Sequence, residues 1–311
     1  MSTDKRPGYG APELREIADG AFAYVQPDGS WWINNTGLLV GPTGAVSIDT
    51  CATEERTRAY RAAISATTAL PVRTLINTHH HGDHTHGNFL FRDATIVAHE
   101  LTRTALLEVG LWRNPPFWTP FELGEVELEP PSLTYADSVT LWVGERRCEV
   151  RHVGRAAHTT NDSIVWLPEQ SVLYAGDLLF SGGTPFALMG SVAGSIAVLE
   201  QVLAPLGAQT IVPGHGPVGG PELIDEVLGY LRLVWQQAQR GRDAGLTPLE
   251  VAQETDLGEY AALLDPERLV GNLHRAYADL AAGPDGEPID VPGALADMVA
   301  FNGGQPLTCL A

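Results

Sequence analysis

A chain of 311 residues with 44% hydrophobic and 18% charged side chains has an ordinary globular balance and can bury a full core, as one large domain or as one domain with an appendage. Its formal charge of −19 argues against nucleic acid as the main partner, because phosphate binding needs clustered Lys and Arg. No run of about 18 apolar residues is present, residues 1–7 lack the apolar core of a secretion signal, and Cys51, Cys148 and Cys309 are spaced as free thiols. A cytoplasmic chain with no membrane partner is expected.

Residues 1–13 are polar, with Pro and Gly, and read as a loose arm. Strands are expected over residues 21–26, 31–40 and 45–49, with Pro27-Asp28-Gly29 and Gly41-Pro42 as turns. Residues 53–68 read as an exposed amphipathic helix leading to Pro71. Residues 72–77 form a short buried strand that runs into Thr78-His79-His80-His81-Gly82-Asp83-His84-Thr85-His86. Five imidazoles and a carboxylate within residues 79–86 are far more than surface composition places together. His79 and His81 alternate, so an extended backbone puts them on one side. Gly82 permits a turn that brings Asp83 and His84 round to a second point. Imidazole nitrogens suit zinc, and a carboxylate oxygen can join them.

Residues 95–98 read as a further strand, which completes an α/β layering. Residues 111–121, rich in Trp, Phe and Pro, suit neither helix nor strand and are either local packing or the wall of a substrate pocket. Strands are expected over 138–143, 146–153, 163–167 and 171–175, with His158 in the loop before the third and Asp177 just after the fourth. Residues 178–192 form an apolar loop beside Asp177, either a substrate wall or a hydrophobic plug. A helix over 191–203 and a strand over 210–213 follow, and the strand brings in His215. Pro221 opens a long amphipathic helix whose stripe from Ile224 to Trp235 reads as core packing. Thr247-Pro248-Leu249-Glu250 is a capping box, and helices follow around 264–281 and 291–301. No Gly-x-Ser-x-Gly elbow is present, so serine-based hydrolysis has no support.

The series His79-x-His81-x-Asp83-His84, then His158, Asp177 and His215, resembles the metallo-β-lactamase-fold hydrolases over residues 14–230. That resemblance implies an αββα sandwich with the metals at one edge of its two sheets. It implies two zinc ions per chain: His79, His81 and His158 on one, Asp83, His84 and His215 on the other, and Asp177 bridging. Asp83 and Asp177 would then be the catalytic carboxylates. Asp49 would support the ligands by hydrogen bonds, unless it is only a strand-end turn residue. Histidine at position 81, where the diiron branch of the superfamily usually has a carboxylate, favours zinc. His80 and His86 have no place in the ligand pattern and are expected to face outward or to brace the ligands. His99, His152 and His274 read as structural or exposed, and Cys51 as no ligand. Residues 231–311 would form a helical C-terminal extension packed on the catalytic domain as one structural unit.

A narrower resemblance comes from Pro185-Phe186-Ala187-Leu188, Gly190-Ser191-Val192-Ala193-Gly194, Leu264-Asp265-Pro266-Glu267-Arg268-Leu269-Val270, Asn272-Leu273-His274-Arg275 and Asn302-Gly303-Gly304-Gln305. These segments are similar to the zinc-dependent second-ring cyclases of aromatic (type II) polyketide biosynthesis. This implies cyclisation of a polyketide by aldol closure and dehydration, with thioester hydrolysis in part of that family. The substrate would be a free small molecule or tethered to a carrier protein. Trp112, Phe117, Trp118, Phe186, Leu188 and Met189 would contact it. The alternative is a generic zinc hydrolase of thioesters or lactones, resembling glyoxalase II or a lactonase. The oligomeric state is left open.

Overall fold

The computed structural model describes residues 11–112, 116–283 and 289–311. The arm expected over residues 1–13 lies outside these up to residue 10, as do residues 113–115 of the aromatic loop. The first half contains β1 (Glu13–Ala18), β2 (Ala21–Val25), β3 (Thr36–Val40), β4 (Ala45–Ile48), α1 (Glu54–Thr67), β5 (Val72–Ile76), α2 (Gly82–Thr85), β6 (Thr95–His99), α3 (Glu100–Val109) and β7 (Leu133–Tyr135). Then come β8 (Ser138–Val143), β9 (Arg146–His152), β10 (Ser163–Leu167), β11 (Val172–Phe180), α4 (Val192–Val198) and β12 (Thr210–His215). The last part is helical: α5 (Glu222–Ala244), α6 (Pro248–Glu254), α7 (Arg268–Ala282) and α8 (Val291–Phe301).

Strands β1 to β7 form one sheet in chain order, and β12-β11-β10-β9-β8 form the second. The two-residue side-chain period of the strands sorts each one into an inner and an outer face. Leu39, Ile76, Val97 and Val165 point between the sheets, where they meet Val46, Val150, Leu167, Val172 and Val212. Their neighbours Leu38, Leu75 and Ile96 point outward and pack with Tyr60 and Ile64 of α1. On the other side Ile164, Leu173 and Ile211 share a core with Leu228 and Leu231 of α5 and with Leu269 and Leu273 of α7. Each such aliphatic side chain contributes roughly 1.5–3 kcal/mol on burial. The four layers are therefore helix, sheet, sheet, helix: an αββα sandwich with a helical C-terminal part.

Helix boundaries follow local chemistry. The Thr53 side chain accepts from Arg56 N–H, and Glu54 and Glu55 occupy the first turn of α1. Thr247 and Glu250 form the expected reciprocal capping box of α6. Helix α5 runs unbroken across positions 230 and 231, so the division drawn there falls inside one element.

Some expectations are corrected. Residues 31–35 are not strand. Trp32 has φ +66, and the Asn35 side chain donates to Pro213 O and Gly216 O at 2.9 and 2.7 Å. The segment is tied to the second sheet instead of extending β3. Strand β11 continues through Asp177 to Phe180, so that carboxylate sits inside a strand, just after Gly176, where the pairing with β12 shifts register. Helix α7 begins at Arg268 and not near 264, because Asp265 takes φ +54. Helix α4 ends at Val198 and continues as a wider turn over Leu199–Leu203. Helix α3 and strand β7 were not anticipated. No helix among the described residues is long and apolar enough to cross a membrane.

Candidate metal centre

The ligand-type residues come from five places in the chain, and the topology brings them to one edge of the sandwich. β5 ends at Ile76 and delivers His79; His81 stands immediately before α2, whose first turn carries Asp83 and His84. His158 comes from the loop after β9, Asp177 from β11 and His215 from the end of β12. Two groups result: His79, His81, His158 and Asp177, and Asp83, His84, Asp177 and His215, with the ligand atoms within each group no more than 4.8 Å apart. Asp177 belongs to both. Its Oδ2 lies 3.3 Å from Nε2 of His158 and 3.3 Å from Nε2 of His215, while Oδ1 lies 3.0 Å from Nε2 of His84.

Hydrogen bonds on the far side of each ring set its orientation. Asp49, at the end of β4, accepts from Thr78 N–H at 2.8 Å and from the Thr78 hydroxyl at 2.7 Å. The same carboxylate lies 2.9 Å from Nδ1 of His84, so Nε2 of His84 faces the other ligands. Since the Thr78 hydroxyl proton goes to Asp49, its oxygen accepts from Nδ1 of His79 at 3.0 Å. Nδ1 of His158 pairs with Phe186 O, and its Nε2 lies 2.8 Å from Nδ1 of His81.

The donor set fits divalent metal. Nε2 of His79 is buried and makes no hydrogen bond. A buried polar atom left without a partner costs about 1–3 kcal/mol, and a coordinated cation would remove that cost. Electrostatics divides the two groups. Burial, then the neighbouring imidazoles, holds His79 and His81 well below the ordinary histidine pKa, so both are neutral with a lone pair to offer. Burial also opposes charge on His84 and His215. Against it, the Asp177 and Asp83 carboxylates raise His84 well above its ordinary value and His215 to about 9. Burial works against Asp177 and Asp83 as anions too, yet the surrounding imidazoles keep both carboxyls well below the usual range. Without metal, protons on His84 and His215 balance the carboxylates.

Above these groups lies a cavity of about 290 Å³. His81, Asp83, His158, Asp177 and His215 line it, whereas His79 and His84 sit behind. Of the expected contact residues, Trp112, Trp118, Phe186, Leu188 and Met189 line it. Phe117 does not. Trp118 bridges to Leu307, and the Phe117 ring, outside the cavity lining, packs edge-on against Trp118 at 6.4 Å. The aromatic loop and the loop after Asp177 therefore supply cavity wall as well as packing. Trp31, Trp32, Phe180 and Arg268 also line the cavity and were missed. The adjacent Trp31-Trp32 followed by Asn34-Asn35 was the available signal, since that pairing suits a turn better than a strand.

The other histidines are placed as follows. His86 is buried, not outward-facing; its ring lies 5.9 Å from that of Trp32. His80 lines the cavity beside Asn161, its pKa lowered to about 4 by burial. His99 and His152 stack at 4.0 Å away from the site, and His274 pairs with Asp297 at 2.8 Å. Cys51 is buried under α1 and receives a hydrogen bond from Gln26.

Comparisons with known proteins agree with this architecture. A metallo-beta-lactamase type 2 of Bacteroides fragilis is 24% identical over 68% of this chain and 82% of its own length. A linear primary-alkylsulfatase of Pseudomonas sp. is 22% identical over 88% of this chain and 62% of its own. Among solved structures, a metallo-beta-lactamase from Pontibacter korlensis superposes with a TM-score of 0.59 at 22% identity, covering 71% of this chain and 99% of that one. The family model of the metallo-beta-lactamase superfamily matches residues 29–215. That span begins in the turn before the Trp31-Trp32 wall, ends on the last histidine of the site and includes every ligand-type residue between, so the chain belongs to the metallo-beta-lactamase superfamily, whose members are hydrolases.

Proposed function

We propose that the protein is a dinuclear zinc enzyme acting on a polyketide thioester, closing its second ring by aldol attack and dehydration and hydrolysing the thioester. The observation that carries this reading is the cavity. Its floor is the two His/Asp groups, and its walls are Trp31, Trp32, Trp112, Trp118, Phe180 and Phe186. Such a lining suits a flat apolar ring system and offers few partners to a hydrophilic substrate. The similarity of the 185–194 and 264–275 segments to second-ring cyclases supports the same substrate class.

The nitrogen and oxygen donors suit zinc. His79, His81 and His158 would hold one ion, Asp83, His84 and His215 the other, with Asp177 shared. Zinc bound there supplies Lewis acidity to a carbonyl oxygen and lowers the pKa of a water towards neutrality. The chain's own residues orient and move protons. The aromatic walls hold the ring system flat and keep bulk water out. Asp83 faces the cavity and relays the proton released at the carbon that attacks the ketone: the new C–C bond forms as the ketone C=O π bond opens, and the proton ends on the resulting alkoxide oxygen. Dehydration then breaks that C–OH bond and a neighbouring C–H bond, and water leaves as a C=C bond forms. In hydrolysis, water adds to the thioester carbonyl, the C–S bond breaks, and the sulfur leaves as thiol with a proton returned from the site. The substrate is carrier-bound or free, and neither route needs nucleic acid or membrane.

The test is incubation of zinc-loaded protein with a mono-cyclised polyketide thioester mimic, followed by mass spectrometry, with Asp83→Ala as control. Loss of water together with free thiol, absent from the control, is the expected result. Thiol release alone would replace this reading with a plain thioesterase. No change in protein shown by metal analysis to hold its zinc would remove the polyketide assignment.

A further inference from the structure

One wall of the cavity is held by residues far outside the span matched by the family model. Trp31 is gripped at three points by the segment that leads into α7. Its main-chain N–H donates to Oδ2 of Asp265 at 3.0 Å, and its indole Nε1 donates to Oε1 of Glu267 at 2.7 Å. The Arg268 guanidinium lies over its ring, 4.0 Å from the centroid. All three gripping residues are buried, Arg268 to 1% exposure. Arg268 is itself fixed by Asp265 at 2.9 Å and by Thr184 O at 3.0 Å. The held indole is the hub of the aromatic wall, edge-on to Trp118 at 5.3 Å and to Phe186 at 5.0 Å.

A buried arginine with two buried carboxylates is costly to desolvate. Packing alone does not need it, because an apolar residue would fill the same volume. What the trio adds is direction: one hydrogen bond and one stacked cation fix the tilt of an indole that lines the cavity. We propose that Glu267 and Arg268 are positioning residues that set the tilt of Trp31 and so make the cavity selective for flat, multi-ring acyl groups over short acyl chains. This selectivity rests on the acyl-substrate reading above. A short acyl group presents little surface to the aromatic wall, so its turnover is expected to depend little on the tilt.

Glu267 is the cleaner probe, because Arg268 also lies 5.2 Å from the Phe180 ring, which stacks on His215. Zinc-loaded wild type, Glu267→Leu, Glu267→Gln and Arg268→Lys are compared with acetyl and 2-naphthoyl thioesters of one thiol. Binding of 2-naphthoate is followed in parallel by quenching of tryptophan fluorescence. Glu267→Leu is expected to raise KM for the naphthoyl ester and Kd for naphthoate about tenfold, the size of one lost hydrogen bond to a charged group. KM for the acetyl ester and kcat for both stay within about twofold, since nothing at the metal groups moves. Glu267→Gln keeps an acceptor and restores most of the loss, and Arg268→Lys, which keeps charge without a planar stack, shows an intermediate one. Equal losses on both esters would make the trio merely structural, and unchanged naphthoate binding in Glu267→Leu would overturn the proposal outright. If wild type turns over neither ester, the acyl-substrate reading fails, while the naphthoate titrations still decide whether the clamp orients Trp31.

Discussion

Asp49 shows how much one residue outside the ligand set can decide. It touches no reacting atom, yet it orders Thr78 and through it His79, and it also holds His84 directly at 2.9 Å. Asp49→Ala is expected to weaken metal binding roughly 10–100-fold, the usual effect of losing an orienting carboxylate; competition with a coloured chelator measures it, and unchanged affinity would contradict the orienting role. Protonation gives a second prediction at this scale. His215 is raised to about 9 and His84 also stands well above its ordinary value. Their contribution to metal-free stability is therefore fully present below the unfolded pKa of about 6.5 and is lost as pH rises through the folded values. Metal-free protein should lose stability between about pH 6.5 and 9, whereas loaded protein, in which metal has displaced those protons, should not. Thermal unfolding of both forms across that window measures the difference. At pH 7, titration calorimetry in buffers of different ionisation enthalpy should show protons released by one equivalent of metal and few by the other, because His79 and His81 are already neutral. Equal release from both equivalents would show that the two groups are not electrostatically distinct.

At the scale of elements, the site depends on how closely β11 and β12 approach. A Cβ on Gly214 would stand 1.9 Å from Oδ1 of Asp177 and 2.9 Å from its backbone nitrogen. Gly214→Ala must therefore push aside the shared carboxylate, and both metal equivalents should weaken together while the fold survives. Circular dichroism would confirm folding, and metal analysis would read the loss. Retention of two tightly bound equivalents would mean that β12 can move away at little cost. The caps allow a contrast that leaves the site alone. Thr247 and Glu250 close the first turn of α6 and do not line the cavity, so Thr247→Ala should cost about 1 kcal/mol of stability with no change in metal affinity. Elements with a strong local pattern, such as α1, α5 and α6, were legible from the sequence. Helix α3 was not, because it follows β6 without a break and its cap is the unusual His99 side chain.

For the whole molecule, the metal site is a clamp between two sheets as well as a reaction centre. Asp83, His84 and the His79–His81 pair hang from the first sheet, and Asp177 and His215 from the second. Metal bound to both sets joins the halves, so chelation should lower the melting temperature by roughly 5–10 °C, the shift expected when a ligand well above its dissociation constant is removed from a chain of this size. A scanning calorimetry trace that does not move after exhaustive chelation would argue that the sheets are held by their apolar interface alone.

The sequence by itself determined an α/β layering and the ligand-type cluster, and the resemblance to the metallo-β-lactamase-fold hydrolases implied the αββα arrangement. Strand periodicity sorts faces locally, and a cluster such as His79 to His84 is legible without knowing what surrounds it. Asp49 entered as a candidate through that same resemblance, and the structure, which puts Thr78 and His84 on its carboxylate, makes it more than a strand-end turn residue. Only the tertiary structure decided what the cavity is made of. Trp31 and Arg268 are separated by more than two hundred positions and carry no shared local pattern, and their stacking at 4.0 Å arises because residues 31–35 turn towards the second sheet and the C-terminal helices pack over it. Phe117 and Trp118 make the same point at short range. Composition treats them alike, and only the fold, in which Trp118 bridges to Leu307, decides that Trp118 lines the cavity while Phe117 does not, because which way a ring faces depends on partners far away in the chain.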